Sequence, residues 1–341
     1  MDQPTNQTFV APQDDITEPL GMRIVRLAIY IIIFLIATIG NSLVIFVVYK
    51  TRELHTVTGY LIANLAIADL GVGLLCIPFT VVFYELNFVW PFGAFMCKMI
   101  CLQPLFLMAS VATLMAISID RHQSIVYPFN PRISLTQGKL IIALVWLIGM
   151  LPAFPMLGVL ELVETPRGPT CTETWPDMDF GATINSKLSF AYTIASFVLT
   201  YAVPLPLIII LYIRIALKLR EAIKDAADRP GFQAAQQTRK IIKMLVAVVV
   251  CYALCYLPFH GMVFLNYSQV VENTPIVYLI QSYCQVIMYF NSASNPILYA
   301  FLGDQFRNGF KKAIGCKIGQ KHNVSLPSPN TKLEYVKSTT S

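Results

Sequence analysis

From Cys97 to His122 the chain reads Cys-Lys-Met-Ile-Cys-Leu-Gln-Pro-Leu-Phe-Leu-Met-Ala-Ser-Val-Ala-Thr-Leu-Met-Ala-Ile-Ser-Ile-Asp-Arg-His. Between Lys98 and Asp120 no side chain is charged. A helix from Cys97 to Arg121 would rise about 36 Å, the hydrocarbon core of a bilayer plus part of the headgroup region. Gln103 and Ser110 lie inside that span, where a polar group is costly without a partner or a task. A cysteine at one end, polar groups at depth and an Asp120-Arg121 pair at the other end read as a signal conductor across a membrane.

The rest of the chain has the composition of a membrane protein. Of 341 residues, 56% are hydrophobic and 13% charged, about half the charge of a soluble globule. Seven apolar windows are expected to span, at roughly 27–49, 57–84, 99–119, 140–160, 188–213, 244–265 and 275–302. An odd number of spans puts the termini on opposite faces. With the N-terminus outside, 20 of the 25 Lys and Arg residues fall inside, against five basic and eleven acidic residues outside. Basic residues concentrate on the cytoplasmic side, which sets the orientation. The outer face then carries −6 and the inner face +13, with Asp69 buried between them. The expected organisation is an outer tail over 1–23, a helical bundle over 24–302, an amphipathic surface helix over 303–316 and a cytoplasmic tail over 317–341. No removable signal peptide is expected, because the first residues lack an apolar core and cleavage site.

Of eight cysteines, Cys97 and Cys171 fall outside, where the compartment is oxidising, and a disulfide between them is expected. It would draw the long loop from Glu161 to Lys187 back over the bundle mouth. Asn6-Gln-Thr8 is a glycosylation sequon on the outer side. Phe306, Phe310 and Ile314 recur beside Arg307, Lys311 and Lys312, the pattern of a helix lying on the inner leaflet. Cys316 behind it is a palmitoylation candidate. Pro258 in span six and Pro296 in span seven each remove a backbone hydrogen bond and make a hinge. Asp69 has two open readings, a structural partner for Asn41 and span seven, or a sodium or proton site.

Taken in order, Gly40-Asn41, Leu65-Ala-Ile-Ala-Asp69, Asp120-Arg121-His122, Trp146, Pro204 with Tyr212, Cys255-Tyr-Leu-Pro258 and Asn295-Pro-Ile-Leu-Tyr299 fall one set per span. The chain resembles a rhodopsin-like G-protein-coupled receptor over residues 24 to 316. The resemblance implies an all-α integral membrane fold, a seven-transmembrane helix bundle with a short amphipathic eighth helix, in the plasma membrane. It implies no enzymatic activity. Arg121 would face the G protein, restrained by Asp120 at rest, with Tyr212 and Tyr299 swinging inward on activation. Tyr256 and Pro258 would be the toggle and hinge of span six. Asp69, Ser110, Asn291, Ser292 and Asn295 match the family's sodium site, an allosteric ion rather than a resident cofactor. The chain departs from the family at His122, Tyr252 and Tyr256, which stand for Tyr, Phe and Trp. Its Cys97–Arg121 spacing is also one residue short.

Amine receptors of this kind have an Asp where Gln103 stands, and opsins a retinal-binding Lys where Tyr289 stands. The remaining likeness is to neuropeptide receptors of the orexin, tachykinin and neuropeptide FF kind. It implies an extracellular peptide, basic or amidated, in a pocket of Gln103, Phe259, His260, Gln281, Gln285 and Tyr289 with Glu173 and Asp177 above. The acidic outer face would speed the encounter. Partners would be that peptide, a heterotrimeric G protein, receptor kinases, arrestin and membrane lipids, with no nucleic acid. The alternatives are a lipid or other non-peptide ligand, and an ion-coupled transporter or channel. The latter lacks the paired broken helices of such proteins.

Overall fold

The computed structural model describes residues 18–176, 186–225, 232–267 and 274–313. Asn6, Asp177 and Cys316 lie outside the described residues. The helices are α1 (Leu20–Lys50), α2 (Val57–Glu85), α3 (Gly93–Val126), α4 (Leu135–Val159), α5 (Lys187–Lys224), α6 (Phe232–Tyr267), α7 (Pro275–Leu302) and the short α8 (Asp304–Ala313). Connections such as 51–56 and 127–134 are too short for anything but antiparallel neighbours, so the first seven helices alternate through one bundle. Six of the eight are long and apolar enough to cross a membrane. Over its 28 residues α7 carries no charge, but Gln281, Gln285, Asn291 and Asn295 dilute its hydropathy. Asn291 and Asn295 are buried against the other helices, so the helix hides its polarity inward.

Lipid-facing and inward-facing surfaces separate cleanly on α4. Leu140, Leu144, Leu147, Leu151 and Phe154 recur at helical spacing and are all exposed. An exposed apolar stripe on a spanning helix is a lipid face. On the opposite side Gly149 lies 3.1 Å from the Leu105 carbonyl of α3, counted from where a Cβ would sit. Trp146 donates from Nε1 to Asn64 Oδ1 at 2.9 Å, and Asn64 Nδ2 donates to Thr113 Oγ1 at 2.9 Å. This polar chain ties α4, α2 and α3.

Small residues and broken helices decide how α1 meets α7. A Cβ on Gly40 would lie 2.8 Å from Pro296, so only glycine permits the approach. Pro296 has no N–H, which leaves the carbonyl of Ser292 without its helical donor. Asn41 Nδ2 fills that role at 2.9 Å and also donates to its own Ala37 carbonyl at 2.8 Å. The same logic holds on α5, where a wide turn over Val198–Ala202 precedes Pro204. The Thr200 carbonyl, deprived of a donor by Pro204, accepts from Tyr252 Oη of α6 at 2.6 Å.

Two features depart from the sequence reading. α1 begins at Leu20, ahead of the expected boundary at 24, because Arg23 and Arg26 are neutralised. Arg26 pairs with Glu18 at 2.7 Å and Glu85 at 2.8 Å, and Arg23 with Glu85 at 2.5 Å. The loop after α4 contains an antiparallel hairpin, β1 (Leu160–Thr165) and β2 (Gly168–Glu173), within the otherwise helical fold. Gly168 at φ 121° makes its turn. Trp90 N–H donates to the Pro169 carbonyl at 2.7 Å and Thr170 Oγ1 to the Phe88 carbonyl at 2.7 Å, so the hairpin is stitched to the turn between α2 and α3.

Candidate functional site

The hairpin end of the bundle opens into a cavity of about 560 Å³. The disulfide Cys97–Cys171, Cα atoms 5.6 Å apart, pins β2 across it. That separation is ordinary for a disulfide. Gln103 of α3, Phe259 and His260 of α6, and Gln281, Gln285 and Tyr289 of α7 all line this cavity, with Glu173 on β2. Thus seven of the eight residues expected in the pocket come together there, and the eighth, Asp177, is not described.

Gln103 reaches this wall because α3 is not wound evenly. Met99–Cys101 form a 3₁₀ turn, which rises about 2.0 Å per residue against about 1.5 Å in an α-helix. Three such residues gain about 1.5 Å, one α-helical residue's rise, and offset the short Cys97–Arg121 spacing.

A polar chain crosses the floor. Tyr289 Oη shares a hydrogen bond with Thr80 Oγ1 at 2.8 Å, donates to Gln103 Oε1 at 3.4 Å and accepts from Gln285 Nε2 at 3.3 Å. Tyr84 Oη in turn donates to Gln285 Oε1 at 2.9 Å. The far wall is aromatic. His260 lies 5.1 Å from Phe197 and 5.2 Å from Tyr201, ring centre to ring centre, and Tyr252 lies 4.7 Å from Tyr256. Tyr201 Oη donates to the Ala253 carbonyl at 3.0 Å, beside the break that Pro258 makes in α6. The rings thus run from the cavity wall down to the hinge. Thr80, Tyr84, Phe197 and Tyr201 escaped the sequence reading, since an aromatic or threonine on an apolar helix face carries no signal distinguishing pocket from packing.

Midway down the bundle Asp69 is 1% exposed. Its Oδ2 accepts from Asn295 Nδ2 at 2.7 Å. Asp69 Oδ1, Asn291 Oδ1 and Asn295 Oδ1 are buried acceptors with no donor among the described residues. Ser110 and Ser292 are buried with them. One carboxylate with several hard, donor-less oxygens suits a small monovalent cation.

At the opposite end Arg121 Nη2 lies 2.7 Å from Asp120 Oδ2, and Thr58 Oγ1 donates to the same oxygen. Asp120 is thereby buried and satisfied, and Arg121 is folded back along its own helix. Tyr212 and Tyr299 are both buried, Tyr299 stacked on Phe306 of α8 at 5.2 Å. Lys240 of α6 pairs with Asp304 of α8 at 3.2 Å. Phe129, in the short connection after α3, is fully exposed.

A closed helical bundle with a ligand-sized cavity at one end, a restrained Asp-Arg pair at the other and proline breaks between them defines a class, membrane-spanning receptors. The model of the 7 transmembrane receptor (rhodopsin family) matches residues 40–299, and the chain belongs to that family. It is 34% identical over 310 residues to the neuropeptide Y receptor type 2 of Cavia porcellus, covering 89% of this chain and 79% of that one. It is 33% identical over 338 residues to neuropeptide FF receptor 1 of Homo sapiens, covering 92% and 75%. A QRFP-like peptide receptor of Branchiostoma floridae is 32% identical over 323 residues, covering 91% and 82%.

Proposed function

We propose that the protein is a plasma-membrane receptor for an extracellular peptide that activates a heterotrimeric G protein. The observation that carries this reading is the cavity that gathers Gln103, His260, Gln285 and Tyr289 beneath a disulfide-pinned hairpin. The similarity to receptors named for neuropeptides supports it. The hairpin end faces outward and the Arg121 end inward, in accord with the distribution of basic residues.

The mechanism is a population shift. The peptide binds the resting bundle less tightly than one in which α6 has pivoted at Pro258. That pivot strains the ring contacts from His260 to Tyr252 and swings the inner end of α6 away from α8. Arg121 then leaves Asp120 for the G protein, with Tyr212 and Tyr299 moving in behind it. Coupling is reciprocal, so G protein raises peptide affinity by the factor by which peptide raises G-protein affinity. A sodium ion held by Asp69, Ser110, Asn291, Ser292 and Asn295 favours the resting arrangement. Glycosylation at Asn6, lipidation at Cys316, and recruitment of receptor kinases and arrestin complete the reading.

The test is G-protein dissociation in cells expressing the tagged full chain. Asp120→Asn should raise basal signalling several-fold by weakening the hold on Arg121, and Arg121→Ala should abolish both basal and peptide-evoked signalling. Unchanged signalling in Arg121→Ala, or antibody access showing both termini in the cytosol, would sink the reading.

A further inference from the structure

Five cysteines among the described residues are free, and two of them meet. Cys251 and Cys255 stand four apart on α6, the spacing that puts two side chains on one face of a helix. Their sulfurs are 3.7 Å apart. Neither lines the outer cavity, and neither belongs to the Asp69 cluster or the Arg121 end. Cys255 is 4% exposed, and Cys251 is half-buried within hydrogen-bond reach of Ser294 on α7. Ser294 Oγ gives its one proton to the Asn291 carbonyl at 2.7 Å. Toward Cys251 its oxygen can therefore only accept.

Two sulfurs bound at about 2.3 Å to a tetrahedral zinc ion stand about 3.8 Å apart. The resting helix already holds Cys251 and Cys255 at nearly that separation. Sulfur selects a thiophilic ion, whereas the carboxylate and amide oxygens round Asp69 suit a hard one. Charge selects the valence. A divalent ion that displaces both thiol protons leaves a neutral unit, and neutrality avoids the cost of net charge inside the bilayer. No third His, Cys, Asp or Glu joins the pair among the described residues. The remaining positions on the ion fall to Ser294 Oγ and water.

We propose that Cys251, Cys255 and Ser294 form a site for zinc or a like thiophilic divalent ion, and that the bound ion is a brake on α6. Binding converts two thiols and one ion into a bis-thiolate complex with two protons released to solvent, and nothing is oxidised or reduced. Both cysteines lie on the inner side of Pro258, in the half of α6 that swings, whereas Ser294 belongs to α7. An ion held by all three ties the two helices together, and the pivot would cost it a ligand. The site stands on its own geometry, while the brake rests on the receptor reading.

The experiment titrates purified full-length receptor, stripped with EDTA, with zinc chloride or cadmium chloride, and reads Tm and bound metal per chain. The wild type should bind one ion that the double variant Cys251→Ser, Cys255→Ser does not, with a rise in Tm. Cadmium should add a sulfur-to-metal charge-transfer band. Each single Ser variant should weaken binding at least about tenfold. Cys251→His restores a zinc ligand and should recover zinc binding, and Cys284→Ser should leave it unchanged. In cells, zinc carried across the membrane by pyrithione should lower the basal G-protein dissociation of Asp120→Asn several-fold, relative to the same variant lacking both cysteines. Equal zinc binding in the wild type and the double Ser variant, or no recovery with Cys251→His, overturns the site. Bound zinc that leaves basal signalling alike with and without the cysteines overturns the brake. If Asp120→Asn raises no basal signal, the receptor reading and the brake fall together while the Tm arm still decides the site.

Discussion

Replacing Tyr252 by Phe removes one hydroxyl and nothing else, and the structure says what that hydroxyl does. It donates at 2.6 Å to the Thr200 carbonyl, whose helical donor would have been residue 204, a proline. The wide turn over Val198–Ala202 leaves Val203 N–H bonded to the Val198 carbonyl at 3.1 Å, so that group is already used. Tyr252→Phe should leave a buried carbonyl unmet. The penalty is about 1–3 kcal/mol in a protein interior, and hydrogen bonds between membrane helices average about 0.6 kcal/mol. We expect about 1 kcal/mol, a fall in Tm on the order of 3 °C.

Thermal unfolding of purified receptor in detergent, followed by thiol exposure, would measure it. The decisive comparison is a double-mutant cycle with Pro204→Ala. An alanine there restores an N–H for Thr200, and Tyr252→Phe should then cost under about a third as much. A coupling of zero between positions 204 and 252 would refute the argument that Tyr252 completes a proline-broken helix. The same cycle run on peptide potency shows whether this bond also biases the α6 pivot.

Sodium chloride should raise the Tm of the wild type above that in choline chloride by the linkage of ion binding to the folded state. Asp69→Asn should erase the difference, and an unchanged sodium effect in that variant would exclude Asp69 as the cation's anchor. Gly309→Val should loosen α8, since a Cβ there would collide with the Val47 side chain of α1; overpacking of this kind costs about 1–3 kcal/mol. Val47→Ala should restore the lost Tm, and no rescue would show that the two positions do not compete for space. For Glu173, burial raises the carboxyl above its ordinary range and the Trp175 indole partly opposes the rise. Tyr192 of α5 and His260 of α6 also line the cavity. A cationic peptide binds the ionised form, so affinity should be full above that raised pKa and fall about tenfold per pH unit below it. Protonation relieves rather than adds to the folding penalty of the buried charge, so the loss should appear in binding isotherms without a matching drop in Tm.

Much of this architecture was legible from residue order because a bilayer imposes coarse rules. An uncharged stretch such as Leu102 to Ile119 has few stable alternatives to a spanning helix. An Asp at mid-depth in α2 must find partners, and Asn295 is one. Proline positions likewise announce where carbonyls go unpaired. What those carbonyls bond to was not legible. Asn41 reaches Ser292 across 251 positions of chain, and Tyr252 reaches Thr200 across 52. Such pairings depend on how close two helices come, and Gly40 against Pro296 shows that one missing side chain can decide it.

The hairpin is the clearest case. Its residues Leu160 to Glu173 lack long β-branched alternation, and a two-stranded ribbon is marginal alone in water. It forms because Cys171 is tied to Cys97 and Trp90 and Phe88 pair with its backbone and with Thr170. Residue order by itself determined that the chain crosses a membrane seven times, which residues sit at each depth and where the helices break, because water, lipid and proline act locally. Only the tertiary structure decided that Asn266 joins Gln103 and Tyr289 on one cavity wall and that Asn41 and Tyr252 serve the carbonyls that proline leaves open, because that depends on packing among elements far apart in the chain.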